Sequence, residues 1–271
     1  MSPLLLFKSG TVAPPFFITH GLGGTVTELH ELAGNIKTDH SVYGIQWKGL
    51  AESEAPDSSV EDMAKSFIDA VKQVQPKGPY LFAGLSVGGI VAIEAAARLS
   101  SQGERIGLVA LIDTYPDPRY WPIGSWIESI MRRIRHHAST LAKMSLSKSA
   151  PFLVELCRNL TNHLQSRLGA PPRYQLYIED NESPALKRLR INALRAFAQT
   201  EPKYYPGKLT FLMAENVTRF PNNPSKVWRK LCSELEIFSF SCDHVGMITT
   251  HAEAVGMQLS SCIEKASVSS I

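Results

Sequence analysis

The chain has 271 residues, with 28 Lys or Arg, 25 Asp or Glu and 8 His, for a formal charge of +3. That length suits one large α/β domain carrying an insertion. With 44% hydrophobic and 20% charged residues, long disorder is excluded, and no run reaches the ~18 apolar residues of a membrane span. The opening MSPLLLFK is too short for a secretory signal and has no basic lead. The four cysteines, Cys157, Cys232, Cys242 and Cys262, form no CxxC pair. A reducing cytoplasm is therefore expected, with no disulfide frame and no zinc site.

Along the chain, residues 4–7 and 15–19 are short apolar runs beside Gly and Pro and read as strands, as does 41–46. Val60, Met63, Phe67, Val71 and Val74 recur at helical spacing. Ser58 and Glu61 are placed as a capping box ahead of that helix. Residues 80–83 predict a buried strand, followed by GLSVGG and an Ala-rich helix to about residue 99. Residues 106–112 predict the next strand, ending at Asp113. This recurrence of strand and helix predicts a mostly parallel sheet covered on both faces.

From 114 to 206 the rhythm stops. Trp126, Ile130 and Ile134 share one helical stripe, and Leu186, Leu189, Ala193 and Phe197 another, with Pro151, Pro171, Pro172 and Pro184 as punctuation. A helical insertion riding on the sheet is expected here. Its apolar and aromatic residues include Tyr115, Tyr120, Trp121, Trp126, Phe152, Tyr174 and Tyr177. Strands resume at 208–214 and 236–240, and a helix over 252–266 closes the chain.

Charge is unevenly placed. Residues 114–206 hold 14 Lys and Arg against 7 Asp and Glu, so a third of the chain carries half of its basic groups. The plain reading is a solvated helical surface; the sharper one is a surface that attracts an acidic partner. No zinc-finger spacing, arginine-rich run or basic-aromatic repeat points to nucleic acid.

The strongest chemical signal is Gly84-Leu85-Ser86-Val87-Gly88, a G-x-S-x-G sequence between a predicted strand and a predicted helix. Glycines there remove a Cβ clash in a sharp turn that points Ser86 off the carboxyl end of the sheet. A serine hydroxyl needs a base to become a nucleophile. His244, just beyond the last strand, is the candidate, because open α/β sheets place their chemistry in such loops. His20 also follows a strand, but it precedes the serine, and in this chain order the histidine comes last; it is read as shaping a loop. His136, His137 and His163 are read as surface groups, and His30, His40 and His251 have no pattern to favour them.

A carboxylate must orient the imidazole. Asp113 and Glu215 both end sheet strands, and the layout permits either; Asp243, next to the base in sequence, has poor geometry for bonding Nδ1 of His244. Oxyanion donors are expected from the Val87 amide and from the loop His20-Gly21-Leu22-Gly23-Gly24-Thr25 after an early strand.

These segments resemble the thioesterase domains of polyketide synthases and nonribosomal peptide synthetases, which are α/β-hydrolases. The likeness rests on FFITHGLGG (16–24), YLFAGLSVGG (80–89), VALIDT (109–114), YPGKLT (205–210) and Cys242-Asp243-His244, in order over nearly the whole chain. It implies a single α/β-hydrolase domain over 1–271, with 114–206 as a helical lid. Lids of this kind gate water and substrate. It assigns the acid to Asp113, with Glu215 as the fallback. The second oxyanion donor becomes Leu22, with Gly21 or Gly23 as one-residue alternatives. Leu85 stands where the family often has an aromatic residue or His, and Cys242 where Gly is usual; neither removes a catalytic group. The implied reaction is release of an acyl or peptidyl chain from a phosphopantetheine thioester on a carrier protein, by water or by cyclisation, with no metal and no cofactor. The basic insertion suits an acidic carrier. A general carboxylesterase or acyltransferase with the same serine chemistry is the alternative, and a non-catalytic binding protein on this fold the more distant one.

Overall fold

The computed structural model describes residues 3–141, 161, 182–217 and 220–268. Seven strands form its centre: β1 (Leu4–Lys8), β2 (Val12–Thr19), β3 (His40–Ile45), β4 (Tyr80–Leu85), β5 (Ile106–Ile112), β6 (Tyr205–Ala214) and β7 (Cys232–Phe240). They lie side by side in the order β1-β3-β2-β4-β5-β6-β7. Only β1 is antiparallel to its neighbour; the other pairs are parallel. The carboxyl ends of β2 and β4–β7 therefore open on one rim.

A parallel sheet must be covered on both faces, and the alternation of side chains along each strand supplies two apolar surfaces. On one face Phe17, Phe82, Val109, Leu111 and Phe211 pack with helices α2 (Val60–Val74) and α3 (Val87–Ser101). On the other, Phe16, Ile18, Leu81, Ala83, Ala110 and Ile112 pack with α1 (His30–Asn35) and α7 (Ala252–Val268). All six residues of β4 are buried, so the strand that carries the serine turn is anchored from both sides. Each fully buried Phe or Leu in these layers stabilises the fold by about 1.5–3 kcal/mol.

The predicted strands and long helices are present. The cap of α2 is shifted by one residue: Ser59, not Ser58, is the N-cap, and its hydroxyl accepts the Asp62 amide at 3.0 Å. Ser58 instead donates to the Asp62 carboxylate at 2.9 Å. The helix begins at Val60, which must face the core, and that sets the frame. Strands β6 and β7 start earlier than predicted, at Tyr205 and Cys232. Their opening residues, Tyr205 and Cys232, are buried partners across the two strands, but Pro206 and Gly207 follow in one strand and Ser233 and Glu234 in the other, so no apolar alternation marks these starts. Helix α1 and a single turn, α6 (Ser225–Trp228), are too short to leave a period in the sequence.

The stretch between β5 and β6 holds two described helices, α4 (Ile123–Leu141) and α5 (Pro184–Gln199). Phe152, Tyr174, Tyr177, His163, Cys157, Pro151, Pro171 and Pro172 lie outside the described residues. Tyr115 and Trp121 are core residues, 4% and 3% exposed. On α4, Trp126 and Ile130 are half-buried and Ile134 is exposed, whereas Ser125 and Ser129 are buried. Among the described residues no helix is long and apolar enough to cross a membrane.

Candidate active site

Strand β4 delivers its chain to Ser86, and α3 starts at the next residue. Ser86 adopts φ 54° and ψ −121°, while its amide donates to the Ile112 carbonyl at 2.9 Å. Among the described non-glycine residues, only Ser86 and Asp113 have positive φ. Such backbone costs of order 1–3 kcal/mol and persists only where the surroundings over-determine it. Gly84 and Gly88 make this turn possible: a Cβ on Gly84 would overlap the Gly88 backbone, and one on Gly88 would overlap the His20 carbonyl.

Asp113 follows β5, with its amide donating to the Leu212 carbonyl of β6 at 2.8 Å. It is fully buried. Its Oδ1 accepts the Ala214 amide at 3.4 Å, and its Oδ2 lies 2.6 Å from His244 Nδ1, 131 residues away in the chain. A carboxylate only accepts, so Nδ1 carries the proton and Nε2 keeps a free lone pair. The imidazole is 16% exposed and packs edge-on against Phe220 at 5.7 Å. Phe220 in turn stacks on Tyr115 at 4.8 Å, and the Tyr115 hydroxyl donates to the Pro221 carbonyl at 3.0 Å.

The structure separates the two acid candidates. Asp113 faces the imidazole. Glu215 is exposed and accepts the Ser241 hydroxyl at 2.8 Å. Asp243 accepts the Gly246 amide at 2.7 Å and shapes the loop that carries His244. Ser86 is partly exposed, and among the described residues its hydroxyl has no hydrogen-bond partner. Ser86 and His244 are thus not yet bonded; such contacts often tighten only when substrate binds.

The loop 20–25 borders the same rim. A Cβ on Gly21 would meet Ser86 Cβ at 3.2 Å, so this backbone lies against the serine. His20 is fully buried. Its Nε2 accepts the Trp47 amide at 3.2 Å and lies 3.1 Å from Gln46 Nε2, leaving Nδ1–H to donate to the Gly21 carbonyl at 2.9 Å. Burial pulls its pKa down to about 4, against a smaller raising effect of the Gly21 hydrogen bond. His20 is therefore a neutral loop-shaping group, as expected from its place before the serine. Val87 is the first residue of α3, so its amide is one of the free N-terminal donors of that helix. Leu22 sits in the turn closed by the Gly24 amide and the Gly21 carbonyl at 3.2 Å.

Two neighbours of the site left no readable signal in the sequence. Phe220 lies in a stretch without periodicity. Glu28, whose carboxylate accepts the Gly21 amide at 2.8 Å, is seven residues from its partner in a short helical turn. Of the other histidines, His40 is buried and bonded to the Pro14 carbonyl at 2.7 Å, and His30 and His136 are exposed. Among the described residues no group of three His, Cys, Asp or Glu could hold a metal.

A mostly parallel sheet, a strained serine between strand and helix, and a His–Asp pair on loops of the same rim define an α/β-hydrolase. The family model for thioesterase domains matches residues 14–261. The chain belongs to the thioesterase domain family, a group of hydrolases acting on thioesters. A dimodular nonribosomal peptide synthase of Bacillus subtilis (strain 168) is 38% identical over 249 residues, which is 89% of this chain and 10% of that protein. An indigoidine synthase of Streptomyces lavendulae is 42% identical over 100 residues, 37% of this chain and 8% of that protein. The chain thus spans about a tenth of the length of these relatives. Among solved structures, the NocB thioesterase domain in covalent complex with a fluorophosphonate nocardicin G analogue superposes with a TM-score of 0.62 at 18% identity, covering 94% of this chain and 95% of that one. The type II thioesterase BorB from the borrelidin cluster gives a TM-score of 0.62 at 17% identity, covering 97% of each chain. At these identities the likeness is one of fold.

Proposed function

We propose that this thioesterase releases a peptidyl or acyl chain from a phosphopantetheine thioester on a carrier protein, through an ester on Ser86. His244 Nε2 takes the Ser86 proton as Oγ attacks the thioester carbonyl. The amides of Val87 and Leu22 receive the oxyanion. The C–S bond breaks, the proton on His244 passes to the sulfur, and the thiol leaves. Water, or a hydroxyl or amine of the acyl chain itself, then attacks the ester with His244 as base, and the Ser86 oxygen regains its proton. Asp113 holds the imidazole in its Nδ1–H tautomer and stabilises the charged ring.

The observation that carries this reading is the 2.6 Å His244–Asp113 contact at the rim where Ser86 is held. Helices α4 and α5 act as part of a lid over the acyl chamber. In support, Arg132 of α4 donates to the Val217 carbonyl at 3.2 Å, near Phe220, and Leu186 and Arg190 of α5 pack on Gly24. The scheme uses no metal and no cofactor of the chain's own. The proposed compartment is the cytoplasm, which suits the buried free thiols Cys232, Cys242 and Cys262.

The test is intact mass after incubation with acyl-pantetheine thioesters and, separately, with simple esters of the same acids. The expected result is an acyl adduct on the wild type that is absent from Ser86→Ala, with faster turnover of the thioesters. Equal preference for simple esters would replace this reading with that of a general carboxylesterase.

A further inference from the structure

We propose that Glu28 is a positioning residue of the oxyanion hole, a role that rests on the serine-thioesterase reading above. The peptide joining Gly21 to Leu22 is planar and trans, so its N–H points opposite to its C=O. Its carbonyl is held by the His20 Nδ1–H at 2.9 Å and by the Gly24 amide at 3.2 Å. That leaves rotation of the preceding peptide as the freedom that could swing the Leu22 N–H out of the donor position proposed for it above. Glu28 removes it, because its Oε1 accepts the Gly21 N–H at 2.8 Å. The other carboxylate oxygen lies against Gly23, where a side-chain Cβ would overlap it. One carboxylate thus braces the donor segment at Gly21 and Gly23, on either side of Leu22.

The brace reaches the insertion. Arg190 of α5 packs over Gly24, acts electrostatically on Glu28 and is ion-paired with Glu182. Burial raises the Glu28 carboxyl above the usual range, and the Gly21 amide and Arg190 act in the opposite direction. A carboxylate desolvated beside a glycine loop costs free energy, and this one is held against the donor loop at Gly21 and Gly23. Glu28 touches no reacting atom in the scheme; it acts through the Leu22 amide.

Three substitutions test this. Glu28→Gln keeps the reach and an acceptor oxygen but loses the charge. Glu28→Asp keeps the charge and loses the reach, and Glu28→Ala loses both. Displacing an oxyanion donor should cost a sizeable part of the 10²–10³ measured for removing one. The expectation is therefore that kcat on an acyl-pantetheine thioester falls about 10- to 100-fold in Glu28→Ala and Glu28→Asp, with KM near the wild-type value, and is largely rescued in Glu28→Gln. A fluorophosphonate adduct on Ser86 places its phosphoryl oxygen at the oxyanion position. Its 31P resonance should move in Glu28→Asp and stay near the wild-type position in Glu28→Gln. If Glu28→Ala does not fold, the Asp and Gln variants carry the comparison. Wild-type kcat in Glu28→Asp, a change confined to KM, or a Gln variant as impaired as Asp would overturn the role of Glu28 alone. A wild type with neither thioester turnover nor Ser86 labelling would overturn the serine-thioesterase reading itself.

Discussion

His20 and Asp113 are both fully buried beside the serine, yet they do opposite work. Asp113 is the partner of His244. His20 has both ring nitrogens engaged and no room for a second proton. With a folded pKa of about 4 against an ordinary value near 6.5, its neutral state is a stability device. The unfolded chain binds a proton at His20 below about pH 6.5, while the folded one resists until about pH 4. This contribution is therefore fully present above about pH 6.5 and declines as the pH falls toward 4, by about 3 kcal/mol in all. Urea unfolding at pH 7 and pH 4.5 should show the loss, and the slope should be shallower in His20→Gln. For the acid, Asp113→Asn should lower kcat by about 10⁴ through the wrong tautomer. Glu215→Gln should stay within about two-fold, because its exposed carboxylate accepts the Ser241 hydroxyl at the surface. Thioester turnover of the two variants decides it; a reversed ranking would reassign the acid.

At the scale of the element, the strand–turn–helix unit from β4 to α3 is where local sequence and tertiary packing agree most closely. Gly88→Ala would drive a methyl into the His20 carbonyl, which is backbone and has little freedom to move. The expected cost is about 1–3 kcal/mol, together with slower Ser86 labelling by a fluorophosphonate, because the same push displaces the donor loop. An unchanged unfolding midpoint would show that the elbow is slacker than its contacts suggest. The α2 terminus gives a milder test. Ser59→Ala should cost about 1 kcal/mol by thermal unfolding, and Ser58→Ala less, since only Ser59 accepts from the helix backbone. That one-residue shift shows why caps are hard to place from sequence: Ser58 and Ser59 are both good caps, and the buried position of Val60 chooses between them.

At the scale of the whole molecule, the uneven charge matters more than its total. The excess of basic groups in 114–206 would raise the encounter rate with an acidic carrier, and such an effect weakens as salt shortens the ~10 Å screening length at 0.1 M. KM for a carrier-bound acyl thioester should therefore rise between 50 mM and 500 mM NaCl, while KM for the same acyl group on free pantetheine should change little. Equal salt dependence of the two substrates would remove the electrostatic role of the insertion.

The sheet and the serine turn were legible in the residues alone, and chain order singled out His244 as the candidate base. The apolar runs, the helical period of α2 and the spacing of Gly84, Ser86 and Gly88 act over a few residues, and their physics is local. The sequence left Asp113 and Glu215 level on layout, and the resemblance to thioesterase domains moved the choice to Asp113. Both residues end strands on one rim, and only the positive φ of Asp113 and the path of the His244 loop turn one carboxylate toward the imidazole and leave the other exposed. The packing of Phe220 on His244, the place of Tyr115 in the core and the hold of Glu28 on Gly21 were likewise decided by tertiary structure. Such contacts join segments whose own patterns carry no record of each other; they exist because closing the sheet brings its loops to a common edge.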